Sequence, residues 1–270
     1  MDSAQLLIKA KRLWQVWQKL LAKIFPKGPI DLLRQIAFFL ACYMAYRYTQ
    51  GAIDDPIGTA TSFSNARDLI AIEQATGTFV EPSVHQFFRD IGPLNDFAAM
   101  LYMNAQTVIV SSALLYIYFR HNANFYFVRN MFLFAMGIAL VCYAAFPTAP
   151  PRFFFAEYNF VDVVSNFTGV RPGSNVNKLF NPYAAVPSMH CAFAIMIAIP
   201  LAKLSKHKVT RIFWTCYPAL MVWCVVVTAN HWWLDAAAGF ATAGLAAYAA
   251  GLLARVRPQA WAFQPARLDS

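Results

Sequence analysis

Six apolar stretches follow one another along the chain, at roughly 30–49, 95–119, 126–146, 188–204, 211–230 and 234–254. Each is close to the ~20 residues that a helix needs to cross the hydrocarbon of a bilayer. The pattern predicts an all-α membrane protein, a six-transmembrane-helix bundle. Two connections are long, 50–94 and 147–187. Within the first, residues 66–91 (ARDLIAIEQATGTFVEPSVHQFFRDI) are too interrupted to span and are expected to lie along the outer interface as one or two short extracytoplasmic helices. Glu73, Glu81 and His85 in that segment read as solvated or capping groups.

Ahead of the bundle, residues 4–25 place Leu13, Trp17, Leu20, Leu21 and Ile24 on one helical face and spread Lys11, Arg12, Lys19 and Lys23 over the rest. That pattern predicts an N-terminal amphipathic helix lying on a membrane surface with an attraction to anionic lipid. A basic tail that only fixes topology accounts for the same charges. The expected organisation is therefore 1–28 as a cytoplasmic-face amphipathic helix, 29–256 as the six-helix domain, and 257–270 as a cytoplasmic tail. No cleavable secretory signal is expected.

Composition agrees with a bilayer location. The 270 residues are 59% hydrophobic and 13% charged, against about 45–50% and 25% in soluble domains. The formal charge of +9 does not point to nucleic acid, because the basic residues flank apolar segments and read as topology determinants. Lys9, Lys11, Arg12, Lys19, Lys23, Lys27 and Arg34 precede or open the first span. Arg120 and Arg129 flank the turn after the second, Lys203, Lys206, Lys208 and Arg211 that after the fourth, and Arg255, Arg257 and Arg267 follow the sixth. With six alternating spans these fall on one side, opposite the acidic stretch 50–94 with Asp54, Asp55, Asp68, Glu73, Glu81 and Asp90. Both termini are then expected in the cytoplasm. The five cysteines, Cys42, Cys142, Cys191, Cys216 and Cys224, lack metal-ligand spacing and read as small buried hydrophobes.

That topology gathers the unusual polar residues on one extracytoplasmic face. Pro187-Ser188-Met189-His190 opens the fourth span and His231-Trp232-Trp233-Leu234-Asp235 opens the sixth. Ionisable groups at membrane depth are functional candidates by default. His231 and Asp235 are spaced i, i+4 and share a helical face. A carboxylate that accepts from one imidazole nitrogen fixes the tautomer and leaves the other nitrogen as a nucleophile. A helix-start histidine followed by a first-turn aspartate favoured by the helix dipole has the same spacing. Trp232 and Trp233 read most simply as interfacial anchors, though they could also wall a site. Ser188 suits an N-cap and Pro187 a helix entry, and a helix N-terminus offers free amides to a phosphate. His190 stands where it could protonate a leaving oxygen, and a satisfied histidine behind a cap is the alternative. The turn Pro147-Thr148-Ala149-Pro150-Pro151-Arg152 aims Arg152 back at the bundle mouth, where an arginine clamps phosphate bidentately. Lys178 is a further candidate cation, and Arg171 reads as a solvated loop residue.

The stretches NPYAAVPSMHCAFA and HWWLDAAAGF, in that order, resemble the type 2 phosphatidic acid phosphatase superfamily of membrane lipid phosphatases. The FPTAPPRF turn and the NPYAAVPSMH spacing look most like the branch containing fungal inositol phosphorylceramide synthase and its bacterial relatives. The resemblance covers roughly residues 30–255. It implies metal-independent phosphoryl transfer from a lipid phosphate, with no cofactor, through a phosphohistidine. His231 is then the nucleophile, Asp235 its orienting partner and His190 the proton donor. Ser188 and its neighbouring amides hold the phosphate, and Arg152 clamps it. Water as acceptor implies a phosphatase, and a lipid or polyol hydroxyl implies a head-group phosphotransferase. Two family features are missing. Val164 stands where the family has a lysine ahead of Arg171-Pro172, and Cys224-Val225 where it has Ser-Arg. Two other readings remain open: a two-histidine, one-carboxylate metal site built from His190, His231 and Asp235, and a non-catalytic lipid-binding or transport protein.

Overall fold

The computed structural model describes residues 25–52, 56–169 and 181–258, together with isolated positions in the first 24 residues. The expected N-terminal amphipathic helix and the tail 259–270 therefore lie outside the described residues, save for those isolated positions. So do Arg171 and Lys178. Among the described residues the architecture is all-helical, and eight helices carry it: α1 (Pro29–Ala52), α2 (Pro56–Ala75), α3 (Glu81–Arg89), α4 (Gly92–Arg120), α5 (Asn122–Ala145), α6 (Met189–Leu204), α7 (Lys208–Val227) and α8 (Trp233–Val256). Two short helical segments, Phe155–Tyr158 and Val163–Thr168, interrupt the long loop between α5 and α6.

Four of these helices, α4, α5, α7 and α8, are long and apolar enough to cross a membrane. α6 is just as apolar but has 16 residues, about 24 Å at 1.5 Å per residue. It fills the middle of the bundle, packed against α7, α8 and α5, where neighbouring protein replaces lipid around it. α1 carries Asp31, Arg34 and Arg47 and is the most polar of the long bundle helices. Its first turn anchors a buried network. Tyr118 and Tyr126 each donate to Asp31 Oδ2, and Gln35 donates to Asp31 Oδ1 while accepting from Arg129. Arg129, expected as a charge beside the membrane surface, is instead 1% exposed and holds Asn130 Oδ1 through both Nε and Nη2. A buried guanidinium persists because its donors are satisfied.

The core is one continuous apolar cluster of α4 to α8, with Phe132, Phe193, Met196, Met221 and Ile117 at its centre. Of the five cysteines only Cys191 and Cys224 are buried; Cys42 and Cys142 are half-buried and Cys216 is exposed on α7, correcting the expectation for that residue. α4 contains one π-helical turn, Ala105–Ile109, whose neighbours include α6.

The 66–91 segment, expected to form one or two short helices, instead holds the second half of the 20-residue α2, which begins ten residues earlier, and the short α3. They pack with the α5–α6 loop over a second aromatic cluster of Phe154, Phe160 and Trp232. Trp232, expected as an interfacial anchor, is fully buried. Its indole Nε1 donates to the Ala149 carbonyl at 3.0 Å, and Phe79, Phe154 and Phe160 surround it. The loop residues that enclose it are distant in sequence, so a helix-start Trp-Trp gave no sign of them.

Candidate active site

The two polar islands meet because α6 and α8 start at the same end of the bundle and touch there. The Ser188 amide donates to the Asp235 carbonyl at 2.9 Å. Ser188 is the N-cap of α6, its hydroxyl accepting from the Cys191 amide at 3.5 Å. Gly239, one turn into α8, makes the approach possible. A Cβ there would sit on the Ser188 carbonyl oxygen and 3.3 Å from the Ala192 amide.

His231 lies in the turn between α7 and α8 and is 5% exposed. Its Nδ1 is 3.0 Å from the Ala185 carbonyl and 3.3 Å from Asp235 Oδ2. A carbonyl oxygen only accepts, so Nδ1 carries the proton and Nε2 keeps its lone pair. The tautomer is thus set by a backbone group from the α5–α6 loop as well as by the carboxylate. Asp235 Oδ2 also accepts from the Trp232 amide at 2.9 Å, which fixes the carboxylate before it reaches the ring. Burial, with the Arg152 guanidinium adding to it, holds the His231 imidazole down to about 3, so the ring is neutral in the resting protein. The contact with Asp235 is therefore a hydrogen bond to a neutral ring.

His190, in the first turn of α6, faces His231 with ring centroids 6.0 Å apart and planes inclined at 57°. Its other face stacks on Tyr102 of α4 at 3.9 Å, just before the π turn.

Arg152 reaches the same place from the loop after α5. Its amide donates to the Ala229 carbonyl, and its Nη1 donates to Asn230 Oδ1 at 2.6 Å, one residue before His231. Nε lies 3.6 Å from Asp162 Oδ2, which also accepts from the Ser165 hydroxyl, while Asp162 Oδ1 accepts from the Ser165 amide. The loop is positioned by hydrogen bonds from Thr148 to the Tyr183 carbonyl and from Ala149 to the Ser62 carbonyl. His190, His231, Asp235, Ser188 and Arg152 thus come together, and Lys178 lies outside the described residues.

Sequence reasoning did not foresee the burial of four polar residues here. Arg47, near the end of α1, is 8% exposed, and its charge reaches His190 and Tyr102. Its position late in an apolar stretch expected to span was the available signal. Glu73 and Glu81, expected to be solvated or capping, are fully buried and do cap, but on α8. Glu81 Oε1 accepts from the Trp233 amide at 2.8 Å and Glu73 Oε1 from the Leu234 amide at 3.3 Å. His85 is buried as well. Its Nε2 accepts from the Val161 amide, so its Nδ1 donates to the Val227 carbonyl at 2.8 Å, and the ring ties α3 to the end of α7.

Fold and site together define a helical integral membrane protein with a histidine-based centre at one end of its bundle. The sequence model of the PAP2 superfamily matches residues 67–249, well over half of the chain, and the chain belongs to that superfamily, whose members are phosphatases. No curated protein and no solved structure matches it.

Proposed function

We propose that the protein transfers the phosphoryl group of a lipid phosphate through a phosphohistidine on His231. The observation that carries the reading is the fixed tautomer: Nδ1–H is held by Ala185 and Asp235, which leaves Nε2 its lone pair, and the His190 ring lies 6.0 Å away, centroid to centroid. Nε2 attacks phosphorus, the N–P bond forms and the bond to the lipid oxygen breaks. His190, having taken up a proton as the anionic phosphate binds beside it, gives that oxygen the proton. An acceptor hydroxyl then attacks phosphorus, returns its proton to His190 and frees His231.

The transferred group carries negative charge, and cations and amides already in place stabilise it without reorganisation. Arg152 would turn from Asn230 and Asp162 toward the phosphate, and the α6 N-terminus would supply amides. Arg152→Ala should lower turnover by about 10²-fold while leaving the fold intact, and Arg152→Lys should restore only part of it because lysine lacks the planar fork. Equal activity of the alanine variant and the wild type, measured on the same lipid, would remove Arg152 from the clamp.

Six spans, with both termini in the cytoplasm and the site facing outward, remain the topology that the charge pattern supports. A site at the helix mouths then meets lipid head groups of the outer leaflet. The FPTAPPRF turn and the NPYAAVPSMH spacing favour the synthase-like branch and a head-group transfer to a lipid or polyol hydroxyl. Water as the acceptor gives a phosphatase from the same intermediate.

Purified protein in detergent with EDTA, offered a panel of lipid phosphates with and without inositol or diacylglycerol, distinguishes these outcomes. Turnover should persist in EDTA. Free phosphate without a new lipid identifies a phosphatase, and a new phospholipid with little free phosphate identifies a transferase. Silence that added metal reverses would contradict the histidine chemistry and favour a metal site at His190, His231 and Asp235.

A further inference from the structure

The first amides of α8 are each held by a different carboxyl group. Trp232 N–H donates to Asp235, Trp233 N–H to Glu81 and Leu234 N–H to Glu73. Glu73 sits in the last turn of α2 and Glu81 opens α3. The turn between them is closed by Thr78 N–H and the Thr76 hydroxyl on the Glu73 carbonyl, and Gly77 takes the left-handed conformation at φ +69° that it requires. Both side chains are thereby brought to one spot beside the start of α8.

All three carboxyl groups belong to residues with no exposed surface. The second oxygens of Glu73 and Glu81 have no hydrogen-bond partner among the described residues, and the two carboxyls sit side by side on consecutive amides, Trp233 and Leu234. Two ionised carboxylates so placed, with Asp235 close by, would repel in a medium of low dielectric. A shared proton turns that repulsion into a hydrogen bond.

We propose that Glu73 and Glu81 share one proton and, as a hydrogen-bonded acid pair, are positioning residues for the nucleophile. They fix the Trp233 and Leu234 amides and, through them, the turn that sets His231 against Asp235. This rests on the reading of His231 given above. Burial, with the negative charge of Glu81 adding to it, pushes the Glu73 carboxyl up to about 9. Burial raises Glu81 as well, against the pull of the Trp233 amide. Besides each other, the titratable group acting on the pair is Asp235. Because the folded protein holds the proton more tightly than the unfolded chain, the pair's contribution to stability is full below pH 4.5 and is lost as pH rises to about 9.

The test compares wild type, Glu73→Gln, Glu73→Leu and His231→Ala in detergent. Infrared difference spectra follow the carboxyl C=O band with pH, melting is followed over the same range, and turnover is assayed on phosphatidic acid. The wild type should keep a protonated-carboxyl band at neutral pH that bleaches near 9. Glu73→Gln, which donates without ionising, should lose that band, flatten the melting profile between pH 4.5 and 9 and keep near-wild-type kcat. Glu73→Leu should fold yet lose on the order of 10²-fold in kcat with little change in KM, the signature of a displaced nucleophile.

A wild type without the band at neutral pH overturns the shared proton, and equal kcat in the leucine and glutamine variants overturns the positioning role. Turnover retained in His231→Ala would instead sink the nucleophile assignment, while the infrared result would stand by itself.

Discussion

A His231→Ala protein inserts and folds but loses turnover by about 10⁴-fold or more, the scale seen when a covalent nucleophile is removed. The size follows from what the ring does. Its Nε2 keeps its lone pair because Nδ1–H is held by Ala185 and Asp235, and the His190 ring lies 6.0 Å away, centroid to centroid. Removing the ring leaves the Ala185 carbonyl and the Asp235 carboxylate short of a donor, at a cost of roughly 1–3 kcal/mol. His231→Gln separates that cost from the chemistry, because an amide N–H can still reach Ala185 but cannot accept a phosphoryl group. Both variants should be inactive, with the glutamine protein the more stable.

The same residue sets an acid limit on stability. His231 stays neutral when folded, down to about 3, whereas the unfolded imidazole takes up a proton below its ordinary 6.5. Its contribution is therefore present above pH 6.5 and is lost as pH falls toward 3. Melting temperature should drop on acidification through that window in the wild type and less steeply in His231→Gln. Identical slopes would show that the imidazole is not held neutral.

Gly239→Ala should be the most damaging single change outside the chemical groups. Alanine is favoured over glycine in a helix by about 1 kcal/mol, so substitution in an open helix would stabilise. Here the added carbon meets two backbone atoms of α6, the Ser188 carbonyl oxygen and the Ala192 amide. No side-chain rotation can relieve a backbone overlap, so the helices must part. Overpacking of this kind costs roughly 1–3 kcal/mol, which exceeds the gain in helix propensity. The Ser188 to Asp235 backbone hydrogen bond breaks with it, and His190 moves away from His231. Gly239→Ala should melt lower than wild type and lose at least on the order of 10²-fold in kcat. Unchanged melting and turnover would show that the crossing is looser than the structure has it.

Several parts of the site were legible because their signals are local. The i, i+4 spacing of His231 and Asp235, and Ser188 as the cap of α6, need only helix geometry, and both islands open helices that meet at one end. The apolar lengths of α4, α5, α7 and α8 were readable in the same way. What escaped was set by distant partners. The Ala185 carbonyl that fixes the His231 tautomer is a backbone atom 46 residues away. The burial of Trp232 depends on Phe79, Phe154 and Phe160 from two other segments. Glu73 and Glu81 read as solvated or capping groups, and that they cap α8 could not be seen because their partners are amides more than 150 residues later. Arg129 looked like a surface charge until Gln35 of α1 came to meet it. Polar groups with satisfied hydrogen bonds can be buried, and their partners are not written in the local pattern.

The central claim is the covalent intermediate. Wild-type protein quenched during turnover of a lipid carrying a radiolabelled phosphate should hold acid-labile, base-stable label. After proteolysis that label should map to the peptide containing His231 and be absent from His231→Gln. Turnover without any label on the protein, or label that persists in His231→Gln, would contradict the account.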